Sequence, residues 1–321
     1  MKAIEITHNG GPDVLIYTDV PTPELKPGTV RVKLESIGVN YMDVYTRIGL
    51  YGDNVPIIPG GEGAGIVTEF ASDVNDFNIG DSVAYTGVSS SYAEEVVAPA
   101  DQLVKLPSGI STDIGAATML QGTTAHYLLY STFPVKDDDT ILVHAGAGGV
   151  GLLMIQIARM IGCKIITTVS NKEKAQLAKN AGADHIILYT ETDFLTEVQS
   201  ITNGQGVQVA YDSVGLTTYE KSLASLAPRG YLVLFGQSSG VVPPISPLIL
   251  NKGSNFLTRP ALGHYLKNRE ELNWRTGDLF EWIKKDRLSI RIHEKIPLKD
   301  ARKAHEDLES RKTSGKLLLI P

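Results

Sequence analysis

Thr140-Ile141-Leu142-Val143-His144-Ala145-Gly146-Ala147-Gly148-Gly149-Val150-Gly151 decides the fold of this chain. Its first residues form an apolar strand. Val150–Ile161 reads as a helix. Between them lies Gly146-x-Gly148-x-x-Gly151. Three glycines alone are weak evidence, but a strand before them and a helix after supply the required context. One glycine makes the tight turn, one lets backbone approach a pyrophosphate, and one lets helix and strand pack closely. The helix N-terminus then offers free N–H groups and partial positive charge to phosphates. Gly146, Gly148, Gly149 and Val150 are therefore the expected phosphate contacts. The bland alternative is a glycine-rich turn in a sheet protein.

Working outward, the pattern after Thr140 alternates strand and helix. Expected strands are Thr140–His144, Lys164–Val169, His185–Leu188, Val207–Asp212, Gly230–Phe235 and Asn255–Thr258, with helices such as Lys172–Asn180 between the earlier ones. That alternation predicts an α/β fold with a doubly wound parallel sheet. An NAD-binding sheet of this kind usually ends its second strand in Asp or Glu, which binds the ribose 2′-hydroxyl. Here the strand end carries Ser170, followed by Asn171, Lys172, Glu173 and Lys174. Glu173 falls in the first helical turn, away from the usual place of the acid. Hydroxyl, amide and ammonium groups suit a 2′-phosphate, so NADPH is the expected cofactor. Ordinary solvated helix charge is the other reading of Lys172 and Lys174.

The first 120 residues read differently. Thr29–Leu34, Gly65–Phe70 and Asp81–Tyr85 alternate polar and apolar residues, with turn signals at Gly60-Gly61, Gly63 and Gly80-Asp81. Such short, regularly spaced strands predict a β-rich, barrel-like unit. A helical run begins at Ser111. The tail, with helices near Leu266–Lys284 and Leu298–Arg311 and strands near Ser289–Lys295 and Lys316–Ile320, resembles the opening more than the middle. The expected division is therefore nested: 1–121 and 263–321 form one domain, and 122–262 is inserted in it.

Composition narrows the function. The chain has 321 residues, 42% hydrophobic and 21% charged, with a formal net charge of −6. That is a globular composition, and its acidic balance counts against coating nucleic acid. Cys163 is the one cysteine, so an intrachain disulfide and a zinc site of several thiolates are both excluded. Met1–Ile6 is strand-like with no apolar leader, and no stretch approaches the roughly 18 apolar residues of a membrane span. A cytoplasmic protein without a membrane span or a structural metal is expected.

Asp138-Asp139-x-x-Leu142-x-x-x-Gly146-Ala147-Gly148-Gly149-x-Gly151-x-x-x-x-Gln156-x-x-Arg159 resembles the signature of the zinc-free quinone oxidoreductase (zeta-crystallin-like) family of the medium-chain dehydrogenase/reductase superfamily. The likeness runs from Met1 to Pro321 and is strongest toward the bacterial NADPH:quinone reductases. It implies a Rossmann domain inserted in a GroES-like catalytic domain, an active cleft between them, and a homodimer. Zinc alcohol dehydrogenases of the superfamily carry G-x-C-x-x-D, which here reads Gly38-Val39-Asn40-Tyr41-Met42-Asp43. Asn40 stands where they have the thiolate, and Met42 replaces the hydroxyl residue of their proton relay. Their G-H-E-x-x-G here reads Gly60-Gly61-Glu62-Gly63-Ala64-Gly65, so Gly61 replaces the histidine ligand. Without thiolate and imidazole, the coordination that catalytic zinc requires is missing.

What remains is reduction of an acceptor that needs no strong Lewis acid, since a quinone or enone spreads incoming charge over its own conjugated system. The resemblance implies that Asn40, Tyr45 and Tyr51 surround the acceptor. Asn40 also meets the cofactor, while Asp43 is either a cofactor contact or structural. Further cofactor contacts implied by the family are Thr124 in Gln121–Ala125, Ser170 and Lys174, Tyr189 after the third strand, and Ser213 in Tyr211–Gly215. Phe235, Gly236, Gln237 and Ser238 line the nicotinamide side, and Arg311 is a late contact. No metal is expected. Cys163, His126 and His144 read as buried structural residues. The alternatives to quinone reduction are 2-alkenal or enone reduction, and a non-catalytic cofactor-binding role, structural or RNA-binding.

Overall fold

The computed structural model describes residues 1–52 and 55–321. The chain divides into one unit made of Met1–Thr123 and Leu266–Pro321, and a second made of Thr124–Tyr265. The strands and helices that follow are numbered in chain order.

The first unit opens with a small antiparallel pair, β1 (Lys2–Glu5) and β2 (Ile16–Asp19). Next come β3 (Thr29–Val39), the short helix α1 (Tyr41–Arg47), β4 (Glu62–Phe70), β5 (Ser82–Thr86), β6 (Glu95–Pro99) and β7 (Val104–Lys105). The helix α2 (Thr112–Tyr127) then carries the chain into the second unit.

There, β8 (Thr140–Val143), α3 (Gly149–Ile161), β9 (Lys164–Val169), α4 (Lys172–Ala181), β10 (His185–Leu188), α5 (Phe194–Ile201), β11 (Val207–Asp212), α6 (Tyr219–Ala224), β12 (Leu226–Leu234) and β13 (Phe256–Thr258) alternate as expected. The chain returns to the first unit with α7 (Arg269–Lys284), β14 (Ile292–Pro297), α8 (Ala301–Glu309) and β15 (Lys316–Ile320).

The second unit is a parallel six-stranded sheet ordered β10-β9-β8-β11-β12-β13. Counted from β8, that is 3-2-1-4-5-6, the order of a dinucleotide-binding sheet. The order of strand addition reverses at β8, between β9 and β11, so loops at the carboxyl ends of these strands part there. Leu142, Ile166, Ala210, Leu232 and Leu234 form its buried centre with Phe194 and Val198. These strands are apolar on both faces because helices cover both.

The first unit's main sheet runs β14-β15-β3-β4-β5-β7, with β6 also paired to β3. Its last strand, β15, is inserted between β14 and β3, with Leu318 opposite Gly38. The chain's two ends thus share one sheet and one core, in which Val32, Leu34, Ile37 and Val67 pack with Ile296, Leu317 and Leu319. Among the described residues no helix is long and apolar enough to cross a membrane.

Some boundaries differ from the sequence reading. The strand from Thr29 continues to Val39, and β12 starts at Leu226 rather than Gly230. The helix α1 sits where no helix was expected. Asp43, three residues after Asn40, accepts the Asn40 backbone N–H at 2.8 Å and secures the start of that helix.

Helix α3 lies so close to the end of β8 that a Cβ on Gly151 would stand 2.4 Å from the carbonyl oxygen of Ala145 and 2.9 Å from Gly146 Cα. Both obstacles are backbone. Gly151→Ala should therefore lower stability by about 1–3 kcal/mol, as overpacking of a well-packed interior does. Urea denaturation measures this, and an unchanged midpoint would contradict the close approach.

Candidate active site

In the second unit, most of the expected cofactor residues follow the carboxyl end of a strand, while Lys174 lies in the first turn of α4 and Thr124 within α2. Gly146–Val150 follow β8, Ser170 follows β9, Tyr189 follows β10, Ser213 follows β11 and Phe235–Ser238 follow β12. Ligands of open α/β sheets bind at this edge, at the strand where the order reverses.

The glycine loop has a geometry that admits little else. A Cβ on Gly146 would fall 2.0 Å from Thr167 Oγ1. That hydroxyl donates to the Val143 carbonyl at 2.6 Å, so it fixes β9 against β8. Ala145 takes a left-handed φ of 54°, and the Gly148 N–H returns to its carbonyl at 2.8 Å. Gly148 then caps α3, whose first N–H groups, those of Gly149, Val150 and Gly151, have no carbonyl to bind within the helix. A bare loop with a row of free N–H groups fits a pyrophosphate.

The second strand end fits a 2′-phosphate better than a free ribose. Ser170 is half-buried and there is no carboxylate at its position. Asn171 caps α4 by accepting the Lys174 backbone N–H at 2.8 Å through its Oδ1, which leaves its NH2 as a donor. Lys174 is half-buried and Lys172 exposed, which favours Lys174 as the built-in cation. Tyr189 is exposed, on the neighbouring strand end.

The loops after β11 and β12 are locked together. Asp212 is fully buried, and its Oδ1 accepts from Val214 N at 2.8 Å, Gly215 N at 3.0 Å and Thr218 Oγ1 at 2.9 Å. Phe235 N–H donates to the Asp212 carbonyl at 3.0 Å, and Ser238 N–H to the Ser213 carbonyl at 3.2 Å. Gly236 is needed there, because a Cβ would lie 2.6 Å from that same Ser213 oxygen. Ser222 bridges Asp212 Oδ2 at 2.7 Å and His144 at 2.9 Å, and His144 also meets Thr168 Oγ1 at 2.8 Å. Burial pushes the His144 pKa down, so the ring is a neutral strut in this network. Cys163 is buried as well, its thiol pushed up to about 12 by burial, well away from a nucleophile's range. Thr124 is buried in α2.

In the first unit, Asn40 caps α1, and Asp43 and Tyr45 lie on it. The Tyr45 ring meets Tyr51 edge-on with centroids 6.0 Å apart. Tyr45 is buried and Tyr51 is 56% exposed. Arg311 lies near enough to Tyr41 for its charge to favour the phenolate, although burial pushes the Tyr41 pKa up overall.

Around Asn40 the structure gives a role to Glu62 of the Gly60–Gly65 motif and adds residues that no motif contained. Lys316 on β15 pairs with Glu62 on β4, both fully buried. Lys316 Nζ also donates to Asn40 Oδ1 at 2.7 Å, and Asn40 Nδ2 donates to Glu62 Oε2 at 2.8 Å. Glu62 Oε1 accepts the Leu120 N–H of α2 at 2.5 Å. Gly38 leaves room for the pair: a Cβ there would stand 2.1 Å from Glu62 Oε2. The network continues from Asp43 Oδ2 to the Tyr92 hydroxyl at 3.0 Å, then to His305 Nε2 at 3.1 Å. His305 Nδ1 contacts Arg47, which forms a two-pronged pair with Glu309 at 2.9 Å. Burial and the adjacent Arg47 guanidinium hold His305 at about 3, hence neutral.

The two positions aligned with zinc ligands thus hold an amide engaged by an ammonium and a bare glycine. A Cβ on Gly61 would meet nothing within 4 Å. Among the described residues no group of three or more His, Cys, Asp or Glu is placed to hold a metal ion.

A dinucleotide-type sheet inserted in a β-rich unit, with a glycine cradle on the one and a polar tyrosine-lined helix on the other, defines a medium-chain dehydrogenase/reductase. Residues 26–108 match the alcohol dehydrogenase GroES-like domain model, and 149–265 the zinc-binding dehydrogenase model. A quinone oxidoreductase of Pseudomonas aeruginosa is 43% identical, covering 100% of this chain and 99% of its own. A 2-haloacrylate reductase of Burkholderia is 40% identical, with the same coverage. Among solved structures, the Escherichia coli quinone oxidoreductase complexed with NADPH superposes with a TM-score of 0.98 at 42% identity, covering 100% of both chains. The chain belongs to the quinone oxidoreductase family.

Desolvation in this cluster pushes the Asp43 carboxyl up to about 7, against the opposing pull of Asn40 N–H, Tyr92 OH and Lys316. From the ordinary value of 3.8 to about 7, the folded chain holds a proton that the unfolded chain has lost. Stability from this group is therefore complete below the ordinary value and falls as pH rises through 7. Asp43→Asn keeps an oxygen for Asn40 N–H and Tyr92 but does not titrate. Thermal unfolding across this range should show the wild type losing ground to the variant as pH rises, and a constant difference would contradict the shift.

Proposed function

We propose that this protein reduces quinones with NADPH, without zinc, as a cytoplasmic enzyme. The observation that carries the reading is the donor set at the former metal positions: Asn40, with its oxygen engaged by Lys316, and Gly61, with no side chain. A site without thiolate or imidazole suits an acceptor that spreads charge through its own conjugation.

When bound, the nicotinamide supplies the hydride. The chain's own residues do the rest. Gly146–Val150 bind the pyrophosphate, and Ser170, Lys174 and Tyr189 bind the 2′-phosphate. Thr124 and Phe235–Ser238 hold the nicotinamide end, and Ser213 and Arg311 make further contacts with the cofactor. Asn40, Tyr45 and Tyr51 form polar and aromatic walls for a planar ring. Asp43 is assigned a supporting role, holding the start of α1 through the Asn40 N–H.

Reduction of activated enals or enones is the second reading, favoured by the likeness to the 2-haloacrylate reductase. We also propose a homodimer, supported by β13 at the sheet edge with Phe256 48% exposed; sedimentation equilibrium tests it.

Loss of NADPH absorbance with a panel of quinones and enals, with and without chelator, tests the activity. Turnover of quinones unaffected by chelator is expected. No turnover of any acceptor, or dependence on zinc, contradicts it. The 2′-phosphate site has its own test. Removing a charged hydrogen-bond partner costs roughly 1.5–3 kcal/mol, about tenfold to a hundredfold in affinity. Lys174→Ala should weaken NADPH by that factor and leave NADH nearly unchanged in a fluorescence titration. Equal losses for both refute the assignment.

A further inference from the structure

The side chain of Asn40 is gripped from both ends by groups of opposite kind. A primary amide has nearly the same shape whichever way its oxygen and nitrogen point, so its neighbours decide the orientation. The partner at the oxygen is Lys316 Nζ, at 2.7 Å, a group that only donates. The partner at the nitrogen is Glu62 Oε2, at 2.8 Å, a carboxylate that only accepts. The second amide hydrogen turns to the Gly38 carbonyl at 3.3 Å. The flipped amide would put its NH2 against the ammonium and its oxygen against the carboxylate, two repulsive contacts in a buried site.

The two charges are themselves an ion pair, with side chains 1% and 0% exposed. Stability alone does not call for such a pair. Burying two charges costs several kcal/mol, and well-packed apolar residues in their place are often neutral or stabilising. The stronger argument for this pair lies in what it does to the amide between its members.

We propose that Lys316 and Glu62 are positioning residues that lock the Asn40 amide in one orientation, with both hydrogens turned inward and one oxygen lone pair left for the cofactor or acceptor. Asn40 then presents the ligand with an acceptor and no donor. The inference fixes what Asn40 offers, and it rests on the reading above only for what Asn40 touches. A group that must meet a reacting partner at a defined distance loses up to a hundredfold in rate when it shifts by about 1 Å. A freely flipping amide would shift more than that.

The test has one arm that needs no turnover. In the 15N-labelled wild type, the Asn40 side-chain protons should exchange slowly with solvent, and the one facing Glu62 should be shifted downfield of a free amide. The Asn40→Asp variant supplies the assignment. Fast exchange with solvent, or both protons at the shifts of a free amide, overturns the lock whether or not quinones are turned over.

The second arm uses Lys316→Met combined with Glu62→Gln, which removes both charges together and leaves neither stranded. With thermal stability close to wild type, kcat should fall roughly tenfold to a hundredfold. NADPH affinity should change little, since the phosphate contacts lie on the other unit. Lys316→Arg, which retains a donor-only partner, should recover part of kcat. A stable double variant with wild-type kcat and KM overturns the proposal. If the double variant does not fold, the protection of the Asn40 protons in the wild type decides. Wild-type protein with protected Asn40 protons and no quinone turnover would sink the proposed function and leave the lock standing.

Discussion

The ion pair between Lys316 and Glu62 is the constraint around which the first unit is built. Two charges removed from water survive only when each satisfies the other and their remaining valences are filled. Here they are. Glu62 takes the Leu120 N–H of α2 and the Asn40 amide, and Lys316 takes the Asn40 oxygen. One buried contact thereby joins β15, β4, α1 and α2. Losing a single partner would strand a charge in the core, a loss of about 3–5 kcal/mol. Gly38 is explained by the same contact, because any side chain at that point of β3 would occupy the carboxylate's place.

The second unit answers to a different constraint, steric rather than electrostatic. Gly146 yields to Thr167, Gly151 to the Ala145 carbonyl, and Gly236 to the Ser213 carbonyl. At each point a backbone or a hydroxyl sits where a Cβ would be. The result is a glycine loop at the strand edge that leaves its N–H groups uncovered, with Asp212, Ser222 and His144 tying the neighbouring loops together. Anion binding needs that pre-set arrangement, because N–H groups already aimed at a phosphate pay little to bind it.

Much of this was legible in the sequence, because the second unit is made of local patterns. Lys164–Val169, His185–Leu188 and Val207–Asp212 are strands with the expected ends. Their apolar runs are bounded by glycine and polar residues within a few positions. The glycine spacing names its own partners. Around Asn40 local pattern was not enough. Asn40 and Asp43 were visible as departures from a zinc-ligand motif, but the helix they start was not, since seven residues give too little periodicity. Lys316 was invisible in its role. One lysine at the start of an apolar strand reads as an ordinary solvated end, and its partner lies 254 positions earlier in the chain. The same holds for Tyr92, His305 and Arg47, joined across more than 200 residues. Side-chain networks of this range leave no periodicity to read. The one local hint was Gly38, whose need for space becomes clear only with the pair in view.

The central claim is that hydride passes to a conjugated acceptor in a site whose buried cation is Lys316 and not a metal ion. The most direct measurement combines metal analysis and isotope kinetics on one preparation. Zinc content is determined by mass spectrometry, and quinone-dependent oxidation of NADPH deuterated at the transferred position is followed in a single turnover. Full-rate turnover with a primary isotope effect in protein holding far less than one zinc per chain is the expected result. Turnover that rises in proportion to bound zinc would contradict it.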